Sequence, residues 1–97
     1  MIPVAESKIP NKDVRSVRGE VNIEIPANSA ATVGVINSIL SFPSGYTLEG
    51  ITLMSSSAGN CVPFLRYIDN TIFVMARNFF SGSITVTIYV RGIFVKS

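Results

Sequence analysis

The sequence predicts an all-β protein, an antiparallel β-sandwich that is jelly-roll-like, with about six strands and an extended N-terminal arm. Three observations predict this class. Apolar residues recur at every second position in several segments, these segments are rich in β-branched residues, and short turn sequences with proline, glycine or asparagine separate them. The chain of 97 residues has the size of one domain and no segment with the period of an amphipathic helix.

The N-terminal segment differs in character from the rest of the chain. It contains two prolines, mixed charge and no sustained apolar period, which predicts an extended arm over residues 1–18 and a sandwich domain over residues 19–97. Residues 20–25 then alternate Glu or Asn with Val or Ile, which is typical of a strand with one wet face. Residues 26–29, Pro-Ala-Asn-Ser, predict a turn.

Two more strands and the last strand follow from the same alternation. Strands are predicted over residues 30–39 and 46–54, separated by a Phe-Pro-Ser-Gly turn at residues 42–45. The last strand begins at Ile84, where Ile and Val alternate with Thr, Tyr and Arg. Gly92 within it is a candidate β-bulge.

A hairpin is predicted around Asp69-Asn70, because both residues tolerate the positive φ angles of a two-residue turn between Cys61–Ile68 and Thr71–Asn78. In the resulting register, both faces of the hairpin are apolar. One face carries Leu65, Tyr67, Ile72, Val74 and Ala76, and the other carries Val62, Phe64, Phe73 and Met75 together with Arg66 and Arg77.

The second face of the hairpin needs a cover, since a sheet that is wet on one side carries polar residues there. We expect another subunit to cover it, and the alternative is the N-terminal arm of the same chain. Two neighbouring phenylalanines beside a Ser-Gly-Ser turn either pack on the core or anchor the same interface. The predicted subunit interface consists of Val62, Phe64, Phe73, Met75, Phe79 and Phe80.

The composition also favours an oligomer subunit. Hydrophobic residues make up 47% of the chain and charged residues 14%, and the mean hydropathy is +0.44, so a monomer has few polar side chains to cover its surface. No apolar stretch reaches the ~20 residues of a membrane span, which predicts no membrane insertion. The N-terminus has no apolar region typical of a secretory signal, so we expect the chain to begin in the cytoplasm.

The residue types argue against an enzyme. The sequence has no histidine and one cysteine, Cys61, which excludes Ser–His and Cys–His nucleophiles; a serine–lysine pair stays open, without a motif to support it. The six carboxylates are scattered, and no spacing typical of a metal or phosphate site occurs. We predict no catalysis, no metal and no cofactor. Because acidic residues interleave with the basic ones of the arm and the net charge is only +2, nucleic acid is a disfavoured partner.

Three stretches resemble a known group of proteins. They are residues 25–29 (IPANS), residues 43–51 (PSGYTLEGI) and the alternating strand at residues 83–91 (SITVTIYVR). Over residues 20–96 the chain resembles the C-terminal domains of phage tail, fibre and baseplate proteins. These domains are short β-sandwiches, and some are similar to H-type lectins.

The resemblance implies a trimer whose subunits pack around a three-fold axis. It also implies a place on a phage virion or prophage-derived particle, assembled in the bacterial cytoplasm, in contact with a host-cell glycan or another virion protein. H-type lectins bind sugar through aromatic and histidine positions, and this chain lacks both tryptophan and histidine. No lectin residue is therefore carried over.

A glycan site is expected where planar and forked polar side chains lie near loops. The candidate ligand-binding residues are Tyr46, Arg66, Tyr67, Asp69, Asn70, Arg77 and Asn78. Structural alternatives apply to several of them: Tyr67 as a core ring, Asp69-Asn70 as a simple turn, and Arg66 and Arg77 as interface residues.

Two functions fit these expectations. The first is a virion structural protein that acts as a trimeric receptor-binding or fibre-tip module and binds without catalysis. The second is a purely structural decoration or adaptor protein of a capsid or tail, which docks through its N-terminal arm.

Overall fold

The computed structural model describes residues 13–97, which form six strands and one helical turn. In chain order these are β1 (Val14–Ile25), β2 (Ala30–Val35), α1 (Ile36–Ile39), β3 (Tyr46–Ser55), β4 (Cys61–Ile68), β5 (Thr71–Asn78) and β6 (Ile84–Lys96). The all-β class predicted from the sequence is confirmed.

The strands form two antiparallel sheets. Sheet A has the order β1-β6-β3, and sheet B has the order β2-β5-β4. The first strand pairs with the last and the second with the fifth, a nested pairing like that of a long hairpin rolled into a jelly roll. The predicted six-stranded sandwich is therefore confirmed, with overall dimensions of 53 × 30 × 20 Å.

The inner faces of the two sheets supply one apolar core. Side chains alternate between the two faces of a strand, so every second residue of the central strand β6 from Val86 to Phe94 points inward and is buried. The buried members of the core are Ile25, Ile36, Leu40, Cys61, Val74, Ala76, Val86, Ile88, Val90 and Phe94.

The start of β1 corrects the predicted domain boundary. The strand begins at Val14, and residues 14–18, predicted as part of the arm, pair with residues 91–95 of β6. Pairing with a strand that is itself 13 residues long overrides the charged local sequence, which carries no clear alternation. The rest of the predicted arm, residues 1–12, lies outside the described residues.

The predicted strand over residues 30–39 is correct only as far as Val35, since α1 follows. The Leu40 N–H donates to the Ile36 carbonyl over 2.9 Å, and the turn buries both side chains. It also crosses β1 so closely that a Cβ on Gly19 would lie 2.5 Å from the Ile39 carbonyl oxygen. Short apolar runs fit a strand or a helical turn equally well, so the period alone could not distinguish them.

The hairpin predicted at Asp69-Asn70 is confirmed. The two residues have φ angles of 49° and 61°, Ile68 pairs with Thr71, and the register along β4 and β5 is the predicted one. These angles suit the type I′ turn that matches the twist of two antiparallel strands.

The predicted bulge at Gly92 is wrong. The β1–β6 register runs through Gly92 without a shift, and the irregularity lies in β3 between Leu48 and Gly50. Gly92 faces the core instead, where a Cβ would lie 2.7 Å from a Leu40 methyl and 2.9 Å from the Phe94 ring. Glycine is needed here for packing.

Candidate functional site

The outer face of sheet B is apolar across all three strands. The registers place one residue of each strand in each of three rows, with Phe73 and Met75 on the central strand β5. We call this surface the sheet B face. Its members are Ala30, Thr32, Val35, Val62, Phe64, Arg66, Phe73, Met75 and Arg77.

Four of the six predicted interface residues lie together on the sheet B face. Met75 is only 9% exposed, because the flanking strands shield it and the Thr32 hydroxyl lies 3.5 Å from its sulfur. Phe73 beside it is half-buried. Val62 and Phe64 on the edge strand β4 are 48% and 37% exposed, so residues 13–97 leave a large part of both side chains open to solvent.

Phe79 and Phe80, the other two predicted interface residues, follow the end of β5. They are 59% and 46% exposed, so they do not pack into the core. The Arg77 guanidinium lies 5.5 Å from the centre of the Phe79 ring, a cation–π contact that links these rings to the sheet B face.

The predicted core face of the hairpin is only partly correct. Val74 and Ala76 are buried, whereas Leu65 and Tyr67 are exposed because the tip of the hairpin is not covered by sheet A. An open cleft of ≈ 250 Å³ lies between the tip and the irregular part of β3.

The free edge of β4 is partly blocked. Hydrogen-bonded pairs alternate along an antiparallel ladder, and counting from Ile68–Thr71 leaves Pro63 in a non-hydrogen-bonded pair with its nitrogen at the free edge. The next edge donor, the Cys61 N–H, donates to the Ser57 carbonyl over 2.9 Å. Only the tip half of β4 therefore offers free N–H groups to another strand.

The predicted ligand-binding residues do not converge on one site. Arg66, Tyr67 and the turn residues Asp69-Asn70 are exposed at the hairpin tip. Arg77 lies at the other end of β5, in the row of the sheet B face that includes Val62. The tip residues are neighbours in the chain, but Arg66 and Tyr67 point to opposite faces of the hairpin.

Asn78 is wrong as a ligand-binding residue. It is fully buried, its amide nitrogen donates to three backbone carbonyls, and its oxygen accepts from the Phe80 N–H over 2.8 Å. A side chain whose polar atoms are all engaged inside the protein has nothing to offer a ligand.

Tyr46 lies at the start of β3 in sheet A, whereas the hairpin turn belongs to sheet B. Its hydroxyl donates to the Asp13 carboxylate, and the Arg15 guanidinium lies 4.7 Å from its ring centre. The hydrogen bond to Asp13 raises the pKa of the Tyr46 hydroxyl above its ordinary value, although the nearby charge of Arg15 acts in the opposite direction. These contacts tie the start of β1 to β3.

A depression of ≈ 510 Å³ on the outer face of sheet A contains residues that the sequence analysis did not single out. We call it the sheet A depression. Its side chains come from all three strands of the sheet and alternate with the core residues. They are Arg18, Glu20, Thr52, Met54, Tyr89 and Arg91.

Two adjacent rows of residues build the sheet A depression. In one row Arg18 lies directly opposite Arg91, with Thr52 on the far side of Arg91; in the other, Tyr89 lies between Glu20 and Met54. The Arg18–Arg91 pairing joins residues of the first and last strands, which no short-range sequence signal could have aligned.

The described residues contain one thiol and no cluster of metal ligands. Within residues 13–97, no group of three or more His, Cys, Asp or Glu side chains could hold a metal ion, and Cys61 is a buried free thiol. No helix in this range is long and apolar enough to cross a membrane.

No protein family model, curated protein or solved structure matches the chain.

Proposed function

We propose that this protein is a non-catalytic binding and assembly module, a homotrimeric subunit of a phage or prophage-derived virion. In this role it acts as a receptor-binding or fibre-tip domain that recognises a host surface glycan or a virion partner. The sheet B face carries the assembly part of the proposal, because it combines exposed phenylalanine, valine and threonine with a half-buried central phenylalanine.

The composition of the sheet B face supports protein–protein contact. Interfaces bury an apolar centre and surround it with polar groups, and arginine is enriched among the latter. Here Phe64 and Met75 share the middle row, Arg66 lies at the β4 end of one outer row, and Arg77 lies in the middle of the other outer row. A partner that covers the middle row leaves both guanidinium groups at the rim, in water.

The contact uses the face of sheet B rather than its edge. A strand added to β4 would meet the missing N–H of Pro63 and the engaged N–H of Cys61. A subunit that packs against the face of sheet B needs no hydrogen bond from the backbone of Pro63 or Cys61. Face-to-face packing is therefore the association that this surface favours.

The virion part of the proposal rests on the resemblance of the three sequence stretches. They occupy the β1–β2 turn, the turn before β3 together with the first half of β3, and most of β6. The non-catalytic part is supported by the lack of histidine and by the burial of the only thiol.

The solution mass of the purified chain tests the assembly. By light scattering with size exclusion, we expect three times the 10.5 kDa of the chain for the wild type. Phe64→Glu places a charge on the exposed edge of the sheet B face, where the fold tolerates it, and should give a monomer with an unchanged circular dichroism spectrum. The matched control is Met54→Glu, an equally drastic change at a 62% exposed residue of sheet A, which should stay trimeric.

A monomeric wild type would refute assembly through the sheet B face. A trimer that Phe64→Glu leaves intact would show that another surface holds the subunits together. A dimer would support the face as an interface and refute the three-fold arrangement.

A second candidate is the purely structural decoration or adaptor protein. The dispersal of the predicted ligand-binding residues and the burial of Asn78 favour it over a glycan site at the hairpin. A glycan array distinguishes the two functions: tight binding to virion particles with no glycan bound would support the adaptor, and binding of a glycan by the isolated trimer would exclude a purely structural role.

A further inference from the structure

The sheet A depression is built in a way that folding alone does not favour. Arg18 and Arg91 are directly opposite each other on the same face, and like charges in such cross-strand pairs repel. Among residues 13–97 the one ion pair joins Arg15 to Asp13, so neither guanidinium of the depression has a carboxylate within 4.0 Å. Violations of local rules that bring no gain in stability are typical of binding sites.

Arg91 is held in place by a hydrogen bond to the neighbouring strand β1. Its Nε donates to the Ser16 hydroxyl over 2.8 Å, and this is the only hydrogen bond of the side chain within residues 13–97. The two terminal nitrogens of the guanidinium remain for a ligand. A guanidinium oriented through Nε presents the fork that matches a carboxylate.

The other side chains of the sheet A depression supply the contacts that a sugar ring needs. Tyr89 is 43% exposed between Glu20 and Met54, so its ring is available to stack on the apolar face of a pyranose. The Thr52 hydroxyl and the Glu20 carboxylate can pair with sugar hydroxyls. The volume of ≈ 510 Å³ lies within the usual range for small-molecule sites.

Glu20 favours an acidic sugar over a nucleic acid as the ligand of the sheet A depression. Arginines beside an aromatic ring also suit a phosphate and a stacked base. The Glu20 carboxylate repels any negative charge nearby, but an acidic sugar brings one charge where a polyphosphate backbone brings several, and the sugar hydroxyls donate hydrogen bonds to the carboxylate.

We propose that the sheet A depression binds an acidic sugar, with the carboxylate on Arg18 and Arg91 and the pyranose ring on Tyr89. The inference names the ligand class of the glycan recognition proposed above and rests on that recognition. It does not depend on assembly through the sheet B face, which lies on the opposite side of the sandwich.

The test uses the full chain and three acidic probes: oligosaccharides that carry galacturonate, glucuronate or sialic acid, each beside its methyl ester. The methyl ester keeps the sugar and removes the charge. We expect at least one acid to bind and its ester to bind about tenfold or more weakly. In amide NMR spectra, the shifts on binding should lie in residues 18–20, 52–54 and 89–91.

Variants locate the site. Arg18→Gln and Tyr89→Ala should each weaken binding about tenfold or more, and the circular dichroism spectrum should stay unchanged because both side chains are exposed on an outer face. Arg66→Gln, which removes an exposed arginine of sheet B, is the matched control and should bind as the wild type does. Phe64→Glu should also keep the site within each monomer.

Several results would overturn the proposal. They are no binding of any acid at millimolar concentration, equal binding of acid and ester, binding of inorganic sulfate as tight as that of the sugars, preference for a single-stranded oligonucleotide, or shifts at the hairpin tip. None of these affects the mass of the trimer, so failure of this site and failure of the assembly give distinct results.

Discussion

At the scale of single residues, Asn78 connects three segments that meet at one end of the sandwich. Its amide nitrogen donates to the carbonyls of Ile25, Pro26 and Gly82 over 3.1, 3.1 and 2.9 Å. Its oxygen accepts from the Phe80 N–H. The turn after β1 and the loop before β6 are thereby fixed to the end of β5.

Replacement of Asn78 should therefore be costly. In Asn78→Ala, several buried backbone groups lose their partners, and we expect the free energy of unfolding to fall by about 3 kcal/mol. Urea denaturation measures this as a lower midpoint at an unchanged m value. Asn37→Ala, at an exposed position of α1, is the control and should stay within about 0.5 kcal/mol of the wild type. Equal effects of the two changes would show that the buried amide contributes nothing.

Because of the Tyr46–Asp13 hydrogen bond, we expect the stability of the protein to depend on pH in the alkaline range. The bond raises the pKa of the Tyr46 hydroxyl, so its contribution to stability is complete below the ordinary tyrosine pKa and is lost as the pH rises through the raised one. Carbon NMR of the Tyr46 ring during a pH titration should show a lower midpoint in Asp13→Asn. Arg15→Gln should shift the midpoint upward, because the charge of Arg15 lowers this pKa. Shifts of the same sign in both variants would contradict the assignment.

At the scale of elements, β4 is the strand most exposed to unwanted pairing. It is an edge strand with apolar side chains exposed on both faces, a combination typical of sites of aggregation. Pro63 is placed where its missing N–H faces the free edge. A proline at an edge prevents another strand from pairing there.

Removal of this proline should open the edge. Pro63→Thr restores the N–H and creates a run of donors with Leu65 and Tyr67, so we expect larger assemblies and faster aggregation than in the wild type. Light scattering over time at constant temperature measures the effect. Pro43→Thr, in the turn before β3, should aggregate no faster than the wild type. If Pro63→Thr keeps the mass of the wild type, the edge is protected by something other than proline.

The elements differ in how far the sequence could predict them. The β4–β5 hairpin was predictable in its register because Asp69-Asn70 determines the turn, and the turn aligns the strands. The helical turn α1 was not, since Ile36 and Leu40 fit a strand as well as a helix until the packing against Gly19 is known. The start of β1 was not predictable either, because residues 14–18 owe their conformation to a partner at the other end of the chain.

At the scale of the whole molecule, the two sheets present different surfaces on opposite sides. The sheet B face is mostly apolar, with Arg66 and Arg77 in its outer rows, whereas the sheet A depression combines two facing arginines with a carboxylate and a tyrosine ring. Subunits that pack through the sheet B face leave each sheet A depression turned outward. Several depressions on one particle would bind a polymeric glycan more tightly than a single one does, because each later contact is intramolecular.

The same distinction explains which surface the sequence could predict. The sheet B face follows from one hairpin, so its residues could be assigned from local alternation. The sheet A depression depends on the pairing of Arg18 with Arg91, and strand order and register between distant segments are set by the folded core. The burial of Asn78 has the same origin, because its partners come from other parts of the chain.

The central position of β6 in sheet A determines the order in which the two sheets can form. Neither β1 nor β3 has another partner in sheet A, and both precede β6 in the chain. Sheet B requires only residues 30–78, so it can form before β6 pairs with β1 and β3. The inner side of sheet B then stays uncovered until sheet A closes, and we expect the closure of sheet A around β6 to be the slow step of folding, because β1 and β6 are far apart in the sequence.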